Sequence, residues 1–550
     1  MRMMPELLRD RAQAEPDARA YTFLDDGERE GACLTWGELD RRASAVAAAV
    51  TGAATSGSRA LILCPPGLAF IPAFFGVLRA RLIAVSAYPP RAGRAGIDPQ
   101  DRTLARLRAI ASDAAPEVVL APSALAQRAA AVTALVPELA RATWIDLDQL
   151  EGSGEAFQDR TIDADGVAFL QYTSGSTAEP RGVMVTHANL VLNLADSQAL
   201  AGHGRGSASV SWLPVIHDMG LIQGVLQPAF SGFPAWLMSP AAFLQRPARW
   251  LRAISAAGAT ISGGPNFAYE LCVRRVSDQE RDGLDLRRWR LAFNGAEPIR
   301  QATLDAFRDT FADAGFDADA FRPCYGLAEA TLLVSTGRGA ATACGHPAAG
   351  TTIHIVDPHT LRPCDAAAPG EIWVSGPGVA AGYWNQAEAT ALTFGARLAG
   401  SAEGPFLRTG DLGVVRDDGL HVTGRIKDIL IVRGVKHFPQ DIEGTVERAS
   451  PWVRRGCCAV FAMPGGDGDK VAVAAELDSA GPAPGEADTP DAVILNIREA
   501  IGAAHGIQVS AVALVAPGAI PKTTSGKLQR FLCREGLLNG RLAPVSFWAA

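Results

Sequence analysis

After the apolar run Val167 to Leu170, the chain reads Tyr172-Thr173-Ser174-Gly175-Ser176-Thr177-Ala178-Glu179-Pro180-Arg181-Gly182. An apolar run that gives way to small hydroxyl residues and glycines reads as a strand feeding a loop. Such a loop lets backbone N–H groups and side-chain hydroxyls approach phosphate oxygens closely. Arg181 adds a planar cation at its far end. A flexible Ser/Gly turn has the same composition, so phosphate binding depends on what accompanies the loop elsewhere. It is not a Walker loop: Gly-x-x-x-x-Gly-Lys-Ser/Thr is absent here, and Lys527 is followed by Leu528.

A second signal is the use of lysine. Of 51 basic residues five are lysine, Lys427, Lys436, Lys470, Lys522 and Lys527, and all lie after residue 426. A chain that writes nearly every positive charge as arginine draws attention to the sites where a compact, mobile ammonium is kept, with chance clustering as the plain alternative. The nine cysteines are scattered and form no Cys-x-x-Cys pair, which reads as reduced thiols. Cys324 reads as a packing residue and Cys457-Cys458 as a buried strand pair.

Further segments follow the loop in a fixed order: Asn294-Gly295-Ala296-Glu297-Pro298, Tyr325-Gly326-Leu327-Ala328-Glu329, Thr409-Gly410-Asp411, Gly424-Arg425-Ile426-Lys427-Asp428 and Pro521-Lys522-Thr523-Thr524-Ser525-Gly526-Lys527. Over nearly the whole chain this set resembles the adenylate-forming superfamily, which includes acyl-CoA synthetases and peptide-synthetase adenylation domains. Within it, Ser211-Trp212-Leu213-Pro214 with His217-Asp218-Met219-Gly220, Ser262 through Tyr269, and Tyr325 through Leu332 are similar to fatty acyl-AMP ligases.

The resemblance implies ATP and Mg²⁺ as cofactors and an acyl-adenylate as the first product. It implies that Thr173, Ser174, Gly175, Ser176, Thr177 and Arg181 hold phosphate, and that Asn294, Gly295, Ala296 and Glu297 bind adenine. Tyr325, with Gly326 and Leu327, would stack on that ring, while Asp411 and Arg425 would bind ribose or phosphate. Bringing an anionic carboxylate to the α-phosphate of ATP raises a repulsion that must be offset. Glu329, with Thr173, would hold a hard cation against the phosphates. Lys527 would stabilise the attacking carboxylate and the pentavalent phosphate, so no protein nucleophile is required. His217, Asp218, Met219, Gly220 and Phe267 would wall the acyl pocket, with His217 joining Thr173, Glu329 and Lys527 as the catalytic set. A core histidine held by hydrogen bonds is the plain alternative for His217. Lys427 would be the hinge about which a C-terminal domain swings between adenylation and thiol transfer.

Rigid elements must hold these residues. Arg59 to Cys64, Leu68 to Leu82 and Ile83 to Ser86 set an α/β rhythm that recurs at Val118 to Leu120, Val167 to Tyr172 and Thr260 to Ser262. Parallel sheets covered by helices follow. After about residue 345 the chain turns to Gly/Pro-punctuated strands such as Thr352 to Val356 and Glu371 to Val374, with few helical periods. The expected fold class is α/β: a large N-terminal domain, 1–426, with subdomains at about 1–170 and 171–345 and a β-rich subdomain at 346–426, then a mobile α/β domain, 427–550, carrying Lys527. Hydrophobic residues at 48% and charged residues at 20% match a globular chain, and a formal charge of −7 offers no basic face to nucleic acid. The apolar stretch Ala60 to Pro90 is broken by Pro65, Pro66 and Pro72 and carries Arg79 and Arg81, against a bilayer span. Met1 to Pro16 is charged throughout and lacks a signal-peptide core, so the expected location is the cytoplasm.

Two departures bear on function. Ala178 stands where relatives of this type usually carry glycine, which restricts φ in the phosphate loop, and Arg181 stands where lysine is common. Fatty acyl-AMP ligases usually bear an insertion after the position of Leu332 that disfavours coenzyme A; here Ser335 to Cys344 is a short Gly/Ala-rich link. The resemblance therefore implies a fatty acid as substrate and a holo-acyl carrier protein as acceptor, with coenzyme A the alternative. A nucleotide- or acyl-binding homologue without catalysis is a third reading, disfavoured by the presence of Glu329, Asp411, Arg425 and Lys527.

Overall fold

Short strands buried on both faces, many of them followed by a helix, build the larger part of the molecule. The computed structural model describes residues 1–93, 96–101, 103–150, 157, 160–173, 180–339, 341–365, 368–432, 435–463, 470–478, 489–522 and 528–550. The chain is mixed α/β. One unit comprises Met1–Ala368, Ile372–Thr409 and Val415–His421, and a smaller one Pro369–Glu371, Gly410–Val414 and Val422–Ala550.

The first unit holds two large sheets. In one, nine strands run in the order His346–Pro347, Leu333–Thr336, Phe321–Gly326, Leu291–Asn294, Ile261–Gly264, Ser209–Ser211, Ala235–Met238, Arg19–Leu24 and Glu30–Thr35. Its centre is parallel and only its edges are antiparallel. Leu291 to Asn294 is buried at all four positions, the continuous pattern that a strand covered on both faces requires. Trp250, Tyr269, Trp289, Phe307 and Phe321 fill the core here, with Trp250 edge-on to Trp289 at 5.3 Å and Tyr269 edge-on to Phe307 at 5.1 Å.

The second sheet orders Arg181–Thr186, Val167–Thr173, Ile83–Ser86, Arg59–Ile62, Val118–Ala121 and Thr143–Asp146. All its pairings are parallel except that of Arg181–Thr186 with Val167–Thr173. That edge strand leads into the helix His187–Ala201 through a reciprocal cap: Asn189 N–H donates to Thr186 Oγ1, and the Thr186 N–H donates to Asn189 Oδ1. The Pro-interrupted apolar stretch contains the buried helix Phe70–Arg79, and among the described residues no helix is long and apolar enough to cross a membrane.

Beyond residue 350, four strands follow at Thr352–Val356, Gly370–Ser375, Leu407–Arg416 and Gly419–Arg425. One helix, Ala387–Phe394, lies among them. Its only buried residue is Phe394, so its sequence shows no apolar stripe.

In the second unit, Val453–Met463, Lys470–Leu477, Val509–Val515 and Pro544–Ala549 form a four-stranded sheet, with helices Pro439–Ala449, Pro490–His505 and Arg530–Leu538. Buried Glu443 accepts two hydrogen bonds from Arg530, at 2.7 and 2.8 Å, and a third from the Val460 N–H at 3.0 Å. Arg530 also donates to Asp428 at 2.8 Å. Removing one partner of such a pair strands the other, so Arg530→Met should cost about 3–5 kcal/mol. Urea unfolding followed on this unit should show the midpoint fall by the corresponding amount.

Two buried histidines set an acid limit. Burial lowers His187 and His203 to about 4 from an ordinary value of 6.5. The unfolded chain therefore binds more protons between pH 6.5 and 4, and the stability fully present above that window is lost as pH falls through it. From pH 7 to pH 5 each should remove about 2 kcal/mol. Chemical denaturation at both pH values should show that loss, with His203→Gln abolishing about half of the two-histidine contribution.

Candidate active site

Thr173 and Arg181 face each other as a cross-strand pair, Tyr172 opposite Gly182, so the two ends of the candidate phosphate-loop segment meet at the edge of the six-stranded sheet. Ser174, Gly175, Ser176 and Thr177, with Ala178, lie outside the described residues. Strand Val167–Thr173 is braced at its end. Tyr172 Oη donates to Asp113 Oδ2 at 2.6 Å, and the Gln171 amide donates to the Ile216 carbonyl at 2.8 Å.

That second bond ties the strand to the segment bearing His217. The His217 Nδ1 lies 2.5 Å from Asp218 Oδ1. Asp218 also accepts from the Met219 N–H at 2.7 Å and starts the π-helical stretch Met219–Leu226, a geometry that favours functional sites. Gly220 is required here because a Cβ would lie 2.0 Å from the Pro214 carbonyl oxygen. His217, Asp218, Met219 and Gly220 thus form one tight corner. Phe267 packs edge-on against Trp212 at 5.9 Å, where Trp212 stacks on Phe243 at 4.1 Å, in the core cluster that also holds Met219.

The Glu297 carboxylate accepts from the Phe267 N–H at 2.6 Å, which ties the candidate adenine segment to the helix carrying Phe267. Asn294 is fully buried, and among the described residues neither of its side-chain polar atoms has a partner. Ala296 sits at a φ of 69°, so the segment turns sharply after Gly295. Burial pushes the Cys324 thiol up to about 12, and it donates to the Asn294 carbonyl at 3.4 Å: a packing group rather than a nucleophile.

Tyr325 is buried near the end of Phe321–Gly326. Gly326 passes so close to the returning chain that a Cβ would lie 1.7 Å from the Leu332 carbonyl oxygen. Between them, after Leu327, comes the short turn Ala328–Ala330, which carries Glu329. The turn ends at Thr331, with φ 67° and ψ −65° and the Leu332 N–H bonded to the Ala330 carbonyl at 2.8 Å, a strained γ-turn. Thr331 holds that conformation by donating to the Gly378 carbonyl at 2.7 Å.

Tyr383, absent from the expected site, donates to Glu329 Oε1 at 2.9 Å, and the Arg181 guanidinium lies 5.2 Å from its ring centre. Burial, then the Glu329 charge, raises its phenol, so it remains a donor.

The remaining candidates belong to the second unit. Arg425 Nε donates to the buried Asp411 carboxylate at 2.8 Å. Lys427 lies in the turn Ile426–Asp428, whose Asp428 is the one held by Arg530. Lys527 lies outside the described residues, but the base of its loop is closed by an antiparallel bridge between Lys522 and Leu528 and by the Gln529 N–H donating to the Pro521 carbonyl at 3.0 Å.

Residues 8–384 match the AMP-binding enzyme family, and residues 427–544 match the AMP domain of the Disco-interacting protein 2-like family. The chain belongs to the AMP-binding, adenylate-forming enzymes. It is 42% identical to the medium-chain-fatty-acid–[acyl-carrier-protein] ligase JamA of Moorena producens, covering 98% of this chain and 95% of that one. It is 40% identical to the putative fatty-acid–CoA ligase FadD21 of Mycobacterium tuberculosis, over 96% of both. The fatty acyl-adenylate ligase of Legionella pneumophila, solved with acyl adenylate and pyrophosphate, superposes with a TM-score of 0.72 at 36% identity, over 100% of this chain and 98% of that one.

The contact at Gly326 generates a test. Gly326→Ala must displace the turn bearing Glu329, and a shift of about 1 Å in a reacting site costs about 100-fold in rate. Acid-dependent exchange of pyrophosphate into ATP should fall by that order.

Proposed function

We propose that this enzyme joins a fatty acid to AMP and then passes the acyl group to the phosphopantetheine thiol of an acyl carrier protein. The observation that carries this reading is the convergence of a phosphate-loop cation, Arg181, and an anchored carboxylate, Glu329, on Tyr383.

In the first half-reaction a carboxylate oxygen of the acid attacks the α-phosphorus of ATP, and the bond to the pyrophosphate oxygen breaks. Thr173, the hydroxyl loop through Thr177, and Arg181 hold the phosphates. Asn294 through Glu297 and Tyr325 through Leu327 hold adenine, and Asp411 with Arg425 holds ribose. Lys527 stabilises charge on the carboxylate and the α-phosphate. In the second, the thiol sulfur attacks the acyl carbon, its proton is lost, and AMP leaves. Lys427 serves as pivot between the two. The acyl tail runs along the wall of His217, Asp218, Met219, Gly220 and Phe267.

The donor set fits Mg²⁺. Among the described residues no group of three or more His, Cys, Asp or Glu is placed to hold a metal, whereas Mg²⁺ in nucleotide sites takes one or two carboxylates and fills its shell with phosphate oxygens and water. Glu329, with Thr173 beside the loop, would hold it, and when bound it neutralises phosphate charge. The cytoplasm is the fitting location for an enzyme using ATP.

The carrier as acceptor draws on the name of the Moorena relative and coenzyme A on that of the Mycobacterium relative. The short link after Leu332 is the feature that favours coenzyme A. With medium- and long-chain acids and MgATP, mass analysis should show acyl-AMP persisting beside coenzyme A and consumed when holo-carrier is added. Rapid acyl-CoA formation would make coenzyme A the acceptor.

A further inference from the structure

We propose that Tyr383 is a positioning residue for the metal-binding carboxylate, and that the strap Pro377–Trp384 aligns Glu329 with the outgoing arm of the phosphate loop. This rests on reading Glu329 as the metal ligand.

The strap is fixed at both ends. Toward Glu329, the Ala380 N–H donates to the Glu329 carbonyl at 2.9 Å, Thr331 Oγ1 donates to the Gly378 carbonyl, and Asn189 Nδ2 donates to the carbonyls of Pro377 and Val379 at 2.8 and 2.9 Å. Toward the phosphate loop, the strap adds to the free edge of Arg181–Thr186. The Ala381 N–H donates to the Met184 carbonyl, the Met184 N–H to the Gly382 carbonyl and the Trp384 N–H to the Gly182 carbonyl, at 2.8 to 2.9 Å. Tyr383 therefore sits opposite Val183 in an antiparallel bridge, two residues beyond Arg181. Its own backbone is pinned, the N–H donating to Thr390 Oγ1 at 2.9 Å, and its ring packs edge-on against Phe394 at 5.2 Å.

A side chain held this firmly for packing alone would need no hydroxyl. Here the Oη reaches Glu329 Oε1 at 2.9 Å from a ring that is 6% exposed. A carboxylate with one oxygen engaged by a fixed donor loses rotamer freedom. Partners of this kind govern the affinity of the ligand they orient. Because the same ring lies beside Arg181, the metal carboxylate and the phosphate-loop cation share one support.

Tyr383→Phe removes the hydroxyl and keeps the ring. Mn²⁺ binding to the enzyme with α,β-methylene-ATP, read by electron paramagnetic resonance, should weaken about 10-fold. The unfolding midpoint should stay within a degree or so of the parent, as expected for loss of one hydrogen bond at a half-solvated carboxylate. Pyrophosphate exchange should show a raised Mg²⁺ requirement with its maximal rate largely restored at saturating Mg²⁺. Glu329→Gln serves as the reference. If it loses Mn²⁺ while Tyr383→Phe binds Mn²⁺ as the parent does, Glu329 is the ligand and the positioning role is wrong. If Glu329→Gln binds Mn²⁺ unchanged, the metal reading fails and the role of Tyr383 falls with it.

Discussion

As the proposed cation ligand, Glu329 has two opposed demands to satisfy: its carboxylate has to accept a cation, and it has to occupy one rotamer. A carboxylate left in water satisfies the first demand only, and one buried among donors satisfies the second only. Here the backbone is held by a strained γ-turn at Thr331, and one carboxylate oxygen is held by the Tyr383 hydroxyl. Both supports come from the strap, which in turn needs the edge of Arg181–Thr186 as a template. A β-branched residue at φ 67° costs on the order of 1–3 kcal/mol, and it persists because Gly378 and Ala380 fix it from outside the turn. The two large sheets therefore serve the site by bringing Glu329 on one of them and Arg181 on the other to a common ring.

Strands buried on both faces announce themselves as apolar runs, which is why Ile83–Ser86, Val118–Ala121, Val167–Thr173 and Ile261–Gly264 stood where the α/β rhythm put them. The helix Ala387–Phe394 was invisible for the opposite reason, with one buried residue and hence no period. Among candidate site residues, those embedded in glycine- and hydroxyl-rich segments were readable as candidates, since such segments limit what the backbone does. Tyr383 was not, because its role is created by strand addition and by partners 54 and 202 positions away, Glu329 and Arg181, and no local pattern encodes a contact of that span. The pairing of His217 with Asp218 was half legible: adjacency was given, but the geometry follows from the corner at Pro214 and Gly220.

The second unit shows a related economy. Glu443 and Glu476 are carboxylates almost wholly removed from water, each answered by an arginine and a backbone N–H. The Ile520 N–H that satisfies Glu476 lies at the entrance to the segment bearing Lys522 and Lys527, and Lys522 itself donates to the buried Cys457 sulfur at 3.2 Å. Lysine at 522 thus has a structural occupation, whereas the loop beyond it is framed by its closed base. Retained lysines in an arginine-rich chain are not a uniform signal of catalysis; the partner of each decides.

The link after Leu332 narrows the question of the acceptor. Gly337 and Gly339 N–H groups donate to the carbonyls of Pro323 and Phe321, at 2.7 and 2.9 Å, so the link begins by continuing the antiparallel pairing of Leu333–Thr336 along the strand that carries Tyr325. Gly337 then passes Ala343 so closely that a Cβ on it would meet the Ala343 carbonyl oxygen at 2.3 Å. The described ends of the link therefore close on each other. Ser335 to Cys344 spans ten residues, short of the insertion expected to disfavour coenzyme A. If a carrier protein is nonetheless preferred over coenzyme A, the preference must arise from contacts that the carrier makes and coenzyme A lacks, since selectivity without a barrier can only come from added attraction. Acceptor choice in this chain is then a property of surface recognition, separable from the adenylation chemistry proposed for Glu329 and Lys527, which would be common to both thiols.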